Sequence, residues 1–323
     1  VESGLDRSPN GSHIAFVRDT DLFVMDDDGS DHRRVAAMWS RPSFDWAPDG
    51  KWITYATQDD DYNSDVYVVS LDGMTPPFNI SRHPDRDGGP VWSGDGERIA
   101  WVGRRDGDEA DIYWVELTKA ADEATERDET LKKALEAMKK KDAKGKKKPN
   151  GDAPKKEAAK DDAKENGGDE KKAEKKKDEA KAVTIDFDGI LDRIERIRIP
   201  DSFERGLIWG KDGKTLHFSA TIGGENAVYT VTFPRPERPK RFARTSLSSQ
   251  EYLATSKEFV GLSGGKPASM DAKGDIETYD FSVRVTHDWR EVRQIAFDQA
   301  WRAMRDRFYD EAYNNRDWYQ VRA

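Results

Sequence analysis

The sequence predicts an all-β fold: a β-propeller of four-stranded blades, its ring incomplete over these 323 residues, followed by a short α-helical segment. Three observations carry that prediction. A tight-turn signature recurs along the chain at the spacing of one propeller blade. A second, aromatic strand follows every copy of it. One long Lys/Glu/Asp-rich insert, expected to be disordered, interrupts the pattern, which then resumes.

The signature is clearest at Trp92-Ser93-Gly94-Asp95-Gly96-Glu97-Arg98-Ile99-Ala100-Trp101, with relatives at Ser8–Phe16, Trp46–Tyr55 and Trp209–Phe218. Asp-Gly or Asn-Gly tolerates positive φ, so the chain reverses within two residues and continues as an alternating strand. The turn glycines Gly11, Gly50, Gly96 and Gly213 are spaced by 39, 46 and 117 residues, and removing a 64-residue insert from the last leaves 53. Ten to fifteen residues after each glycine stand Asp21–Met25, Asp65–Val69, Asp111–Val115 and Ala227–Val231. Their apolar residues fall on both faces, as expected of strands sandwiched between neighbouring blades. Asp28-Gly29 and Asp72-Gly73 turn the chain into an outer strand. Trp46, Trp92 and Trp209, each four residues before its turn glycine, read as blade-to-blade packing. A blade cannot bury both faces alone, so the units must stack into a ring.

Lys119 to Ala182 is Lys, Glu, Asp and Ala without an aromatic residue. It holds 21 basic and 17 acidic side chains, a net of +4 against −9 for the whole chain, so the remainder carries −13. Such a composition cannot bury a core and reads as a solvated spacer, with a helical start over Thr130–Lys141. The acidic remainder excludes a concentrated nucleic-acid surface. The chain lacks cysteine, which removes disulfides, thiol catalysis and thiolate metal sites, and no apolar run approaches the length of a membrane span.

Past the insert, Val183–Phe187 alternates as a strand. Arg241–Arg244 reads as an outer strand, and Tyr252–Thr255 with Glu258–Leu262 as one more blade lacking the Asp-Gly turn. Tyr279–Val285 is expected to close or leave the ring. From Asp288 the period changes from two to about 3.6. Asp288 and Glu291 make a capping-box-like start, and Val292, Ala296 and Ala300, flanked by Phe297, Trp301, Met304 and Phe308, line one helical side. Asp317-Trp318 begins what reads as a second helix. The expected organisation is therefore propeller blades over 1–118, the charged insert over 119–182, further blades over 183–286, and the start of a helical domain over 287–323. Val1 begins, and Ala323 ends, in mid-pattern, so the chain reads as a piece of a longer protein.

No catalytic constellation stands out. His13, His32, His83, His217 and His287 have no metal-ligand spacing, and His13 and His217 occupy corresponding strand positions in their repeats. Gly261-Leu262-Ser263-Gly264-Gly265 opens no helix and reads as a turn, not a phosphate cradle. Asp59–Asp65 resembles the start of a calcium loop, but Ser64 and Ser70 stand where that loop needs Gly and Glu. The reading is no catalytic, cofactor-binding or metal residue and no cofactor.

Two kinds of stretch carry a resemblance. The turns at Trp46–Tyr55 and Trp92–Trp101 resemble the repeats of TolB-type and tricorn-type propellers. Ile185-Asp186-Phe187-Asp188-Gly189-Ile190-Leu191-Asp192-Arg193 resembles a segment of the second propeller of tricorn-like proteases, and Glu291–Asp310 with Asn315–Trp318 resembles the first helical stretch of their catalytic half. Asn314-Asn315-Arg316 departs from the Met-His-Gly-like step usual there. The resemblance implies the second propeller and the first helices of a tricorn-like serine peptidase of the tail-specific type, whose catalytic serine and histidine would lie beyond Ala323. It implies a propeller that filters or admits peptide or unfolded-polypeptide substrates, a homo-oligomeric parent, and neither nucleic acid nor a membrane span. The expected compartment is the cytoplasm, with the periplasm open. This stretch alone is expected to be inactive. The alternative is a non-catalytic TolB-like propeller that binds protein partners.

Overall fold

The computed structural model describes residues 2–322 except 60, 108, 126, 129, 132–133, 136–137, 139–181, 211, 254–255, 257, 309 and 311–312. Its contacts divide into two compact units, Val1–Thr278 and Tyr279–Ala323. The first unit is a run of five four-stranded antiparallel blades. The first holds β1 (Glu2–Arg7), β2 (His13–Arg18), β3 (Asp21–Asp26) and β4 (Arg33–Ala36). The second holds β5 (Ser43–Trp46), β6 (Trp52–Gln58), β7 (Ser64–Ser70) and β8 (Phe78–Asn79). The third holds β9 (Arg86–Trp92), β10 (Arg98–Asp106), β11 (Glu109–Glu116) and β12 (Ile194–Ile197), and one parallel bridge, Ser64 to Arg86, joins it to the second. The fourth holds β13 (Arg205–Trp209), β14 (Thr215–Ile222), β15 (Glu225–Thr232) and β16 (Lys240–Ala243). The fifth holds β17 (Ser248–Leu253), β18 (Glu258–Ser263), β19 (Lys266–Met270) and β20 (Ile276–Thr278). Each of the four core clusters lies between neighbouring blades, and Trp46, Trp92 and Trp209 are buried in three of them.

The Asp-Gly corners do two jobs. Within a blade, Asn10, Asp49, Asp95 and Asp212 each accept from the backbone N–H two residues on, at 2.9–3.1 Å. Between blades, the corners lean on one another. A Cβ on Gly50 would lie 2.5 Å from the Asn10 amide, and one on Gly213 would lie 2.6 Å from the Asp95 nitrogen. Glycine is therefore required twice over, by positive φ and by close approach.

A second device recurs at the other end of the third strands. Asp21, Asp65 and Asp111 stand at or near the starts of β3, β7 and β11, and each accepts a backbone N–H from the segment leaving its own fourth strand: Met38 at 2.9 Å, His83 at 3.1 Å and Ile199 at 3.5 Å. Asn79 and Ser81 complete the shell of Asp65, and Arg196 grips Asp111 through two nitrogens. Each aspartate thus latches a short fourth strand that its ladder alone would hold weakly. The fourth blade has Ala227 at this position.

The structure corrects three expectations. Val183–Phe187 is extended but not a strand, because β12 already occupies the free edge of β11. It lies instead as a strip over the core between the second and third blades, with Phe187 4.7 Å from Phe78 and the Val183 N–H donating to Asp49. Of the two roles expected of Tyr279–Val285, closing the ring is not met: it pairs with no strand, β20 completes the fifth blade before it, and Phe281, Val283 and Val285 are exposed. Asp317-Trp318 opens no α-helix. Asp317 accepts from Tyr319 and Gln320, closing a turn that leads only to a 3-10 turn at Gln320–Arg322. The helical start expected over Thr130–Lys141 lies mostly outside the described residues; Leu131, Leu135 and Met138 are helical and exposed.

The insert leaves the third blade between its third and fourth strands, through α1 (Lys119–Asp122), which Thr118 caps. Arg193 ties both roots together. Its guanidinium donates to the carbonyls of Glu116 and Leu117 before the insert, at 3.0 and 3.4 Å, and of Asp186 and Asp188 after it, at 2.5 and 3.1 Å. This buried arginine needs no carboxylate, because four carbonyl dipoles satisfy it.

In the second unit, Asp288 caps α2 (Trp289–Arg307) through the Arg290 N–H. Tyr313, Asn314 and Asn315 all have positive φ, which reverses the chain so that 316–322 return to the helix. Trp301 is the buried residue of α2, capped by Tyr319 at 5.5 Å and by the Arg305 and Arg322 guanidinia.

Candidate functional site

The first strands of the blades form the inner edge of the first unit. The Trp92 N–H of β9 donates to Asp45 of β5 at 2.6 Å, the Gly89 N–H donates to the Ser43 hydroxyl, and the Trp209 indole of β13 donates to the Val91 carbonyl. Gly4 of β1 sits against Phe44 of β5. Asp6 of β1, in the first blade, has its pKa raised by burial and, to a lesser degree, by Glu251 of β17, in the fifth.

This edge is electrically polarised. Near the ends of the first strands stand Asp6, Asp45 and Glu251. Desolvation, opposed by the N–H groups of Trp92 and Trp46, raises the Asp45 pKa to about 7. Toward the starts stand arginines: Arg86 opens β9, Arg205 opens β13, and Arg104 lies opposite Arg86 across the β9–β10 ladder. Directly paired residues of an antiparallel ladder share a face, so two like charges are held side by side.

All three arginines line a cavity of about 550 Å3. Its floor is apolar, formed by Pro90, Val91, Val102, Phe203 and Leu207, and Ser43, Gly88, Gly89 and Gly206 shape its mouth. A Cβ on Gly88, Gly89 or Gly206 would meet nothing within 4 Å. These glycines therefore leave room at the mouth instead of relieving a clash. Arg86 and Arg205 are exposed and make no ion pair among the described residues, and the Arg104 guanidinium lies 5.1 Å from the Phe203 ring centre. Glu204 also lines the cavity. Its side chain is fully buried, neither carboxyl oxygen has a hydrogen-bond partner, and burial pushes its pKa up to about 7, against the smaller opposing influence of Ser202.

The other polar clusters are occupied with the fold. Asp87 is held by Arg105, and Arg98 is shared among Asp95, Glu97 and Glu116. The structure does not bring the five histidines together. His13 meets Asp26, His32 the Gly29 carbonyl, His83 Asp85, and His287 the Trp289 ring. His217 is buried between Phe242 and Phe259 at 4.6 and 4.8 Å, and desolvation lowers its pKa to about 4. Among the described residues no group of three or more His, Asp or Glu is placed to hold a metal. Gly264-Gly265 is the two-residue turn of the β18–β19 hairpin.

Sequence reasoning missed the arginine cavity. Counting outward along both strands from the corner at Gly96 sets Arg86 opposite Arg105; a register shift between Ala100 and Val102 brings Arg104 there instead. Arg205, on the next blade, carries no comparable signal.

Comparison with known proteins gives two independent results. Residues 289–323 match the family model of the tricorn protease C1 domain. Among solved structures, the tricorn protease is similar at 12% identity and a TM-score of 0.68, covering 99% of this chain and 30% of that one. A TolB from Agrobacterium tumefaciens is similar at 13% identity and a TM-score of 0.52, covering 86% of this chain and 80% of that one. No curated protein matches. The chain therefore spans under a third of the tricorn protease's length. The fold is a propeller run of this kind, followed by a segment similar to tricorn C1. No helix of the described residues is long and apolar enough to cross a membrane.

Proposed function

We propose that this chain, a propeller run leading into a tricorn C1-like segment, is the substrate-handling part of a tricorn-like serine peptidase. In this reading the inner edge admits or filters peptides and unfolded polypeptides, and other parts of the protein carry the nucleophile and its base. The observation that carries the proposal is the order of elements: five blades and then, directly, the segment 289–323 that matches the C1 model. A homo-oligomeric, cytoplasmic parent belongs to the same reading.

The test is twofold. This chain alone should leave a panel of unstructured peptides uncleaved, and the parent should cleave them. Removing 1–278 from the parent should then erase its discrimination between short peptides and a folded protein. Hydrolysis by this chain, or unchanged length selectivity after the deletion, would overturn the proposal. The second reading, a binding propeller, is favoured by the likeness to the TolB structure. It predicts capture of folded partners by 1–278 and no peptidase activity in any longer form.

A further inference from the structure

We propose that the cavity between the corner of the fourth blade and the fifth blade binds a primary alkylammonium group. The ammonium takes the place that a serine hydroxyl takes at other corners, and its alkyl chain lies against aromatic rings. This site is independent of the peptidase reading.

The corners show what the fourth blade lacks. Ser8, Ala47, Ser93 and Gly210 hold one position, since the N–H of each donates to the carbonyl five residues on, at 2.8–2.9 Å. At the first and third corners the serine hydroxyl donates to Oδ1 of Asn10 and of Asp95, at 2.8 and 2.7 Å. Gly210 brings no side chain, and its φ is not positive, so the backbone does not demand glycine there. A Cβ on Gly210 would lie 3.4 Å from each of three atoms: Asp212 Oδ1, His217 Nε2 and the Thr215 carbonyl oxygen. All three accept hydrogen bonds, His217 with its ring proton on Nδ1. An ammonium group brings three N–H donors and the charge that a carboxylate favours.

His217 is the second observation. The first-strand registers put Ala15, Thr54 and Ala100 at its position in the other blades, so Ala15 and not His13 is its counterpart. Its ring is 7 % exposed, and Nδ1 has no hydrogen-bond partner. Desolvation, against the smaller opposing effect of Asp212, keeps this imidazole neutral at pH 7 and so able to accept. Burial works against ionisation of Asp212, but hydrogen bonds from Thr215 and the Lys214 N–H outweigh it and hold its pKa below the ordinary value. Asp212 makes no ion pair among the described residues, whereas Asp95 at the third corner is paired with Arg98.

The cavity, about 350 Å3, continues from these acceptors to Phe242, Tyr252 and Phe259. The pairs His217–Phe242, His217–Phe259 and Tyr252–Phe259 meet at 66–75°, so the rings wall the space instead of stacking across it. Such walls suit methylene groups next to a cation. Gly213 of the fourth corner nests against Asp95 of the third, but residues 253–258 of the fifth blade contain no glycine to nest in the same way. Two sources supply the chemistry: the lysine side chain of a polypeptide, or a free alkylamine.

The experiment is an NMR titration of the intact 323-residue chain at neutral pH. The probes are n-butylammonium, Nα-acetyl-lysine methylamide, n-butanol and tetramethylammonium. The two primary ammonium probes should bind about tenfold more tightly than n-butanol, which lacks the charge, and tetramethylammonium, which lacks the N–H donors. Tighter binding of the lysine derivative than of n-butylammonium assigns the polypeptide source, and the reverse or equality assigns the free amine. No preference over n-butanol, or equal binding of tetramethylammonium, overturns the proposal.

Two variants use residues that other corners already carry. Gly210→Ser supplies the hydroxyl of the first and third corners, and should raise the melting temperature and abolish binding of both ammonium probes. Asp212→Asn matches Asn10 of the first corner, and should weaken both about tenfold. Undiminished binding in either variant overturns the proposal. Every readout is binding by this chain, so a failure leaves the peptidase reading to its own test.

Discussion

Trp301 and Trp318 each donate the indole N–H to the other's backbone carbonyl, at 2.9 and 3.2 Å. The exchange fastens the returning segment 316–322 to α2, and stacking of Trp318 on Tyr313, 5.5 Å away, extends the contact. Because Trp301 is buried and most of the helix's other apolar side chains are exposed, the pair is the main tertiary link inside this unit. Trp301→Phe keeps an aromatic ring but removes one donor and part of the indole's packing. It should cost about 1 kcal/mol and speed amide exchange over 318–322 by about fivefold, with the α2 amides changing less. Uniform exchange across both stretches would show that they open together and that the bond is not the latch.

The corners predict a difference between glycines of similar φ. Gly213, at φ +63°, stands where a Cβ would lie 2.6 Å from the Asp95 nitrogen, whereas Gly73, at φ +71°, has nothing within 4 Å. Gly73→Ala should cost about 1 kcal/mol, the penalty of a left-handed alanine. Gly213→Ala should cost at least about 2 kcal/mol more, because backbone atoms of the preceding blade must move. Urea midpoints of the two variants check this.

His217 predicts an acid-sensitive seam between the fourth and fifth blades. Its folded pKa, about 4, lies below the ordinary histidine value of 6.5, so the unfolded chain takes up the proton first. The stabilisation is present above pH 6.5 and is lost as pH falls toward 4, by up to about 3 kcal/mol. His217→Leu should remove this component, so the wild-type-minus-variant difference in urea midpoint should grow between pH 4.5 and pH 7. Glu204 and Asp45 act in the opposite direction. Their pKa values of about 7 lie above the ordinary carboxylate range, so they are held neutral by the fold and cost stability as pH rises from about 4.5 through 7. Glu204→Gln should therefore flatten the neutral side of the stability profile. A profile unchanged by either substitution would contradict the assigned burial.

Arg193 predicts that the insert and its roots contribute very differently. Arg193→Ala leaves four carbonyls without their donor and should cost about 3 kcal/mol, read as a lower melting temperature of the five-blade unit. Replacing 126–181 by a short Gly-Ser linker should change that temperature by only a degree or two, since closure entropy varies slowly with loop length. A large drop on deletion would mean that the insert packs on the blades.

The legible parts of this fold are those whose cause is local. Asp95-Gly96 declares its corner because positive φ and the Asx turn are settled within four residues. Asp288 declares the start of α2 for the same reason. The strands at Asp65 and Asp111 follow from short apolar runs that recur after each corner, but their latching role depends on Asn79, Ser81, Arg196 and Ile199, and the last two lie beyond the insert. Val183–Phe187 misleads because alternation reports two chemically different faces, not a ladder partner, and β12 had already taken that edge. The same holds for Tyr279–Val285. The arginine cavity was least legible. Its three cations come from two blades, and only the stacking of β9 against β13 makes them neighbours.

The clamp at Arg193 has a consequence for how this chain tolerates change. By holding the carbonyls of residues 116 and 117 against those of 186 and 188, one side chain makes some seventy residues count, for the blade, as a hairpin turn. The third blade is thereby a socket: what is threaded between its third and fourth strands is invisible to the ladder, provided the two ends return to the same guanidinium. Variation in length and composition can accumulate there without passing through an unfolded intermediate design, and a foreign domain grafted at 126–181 meets the same permissive geometry.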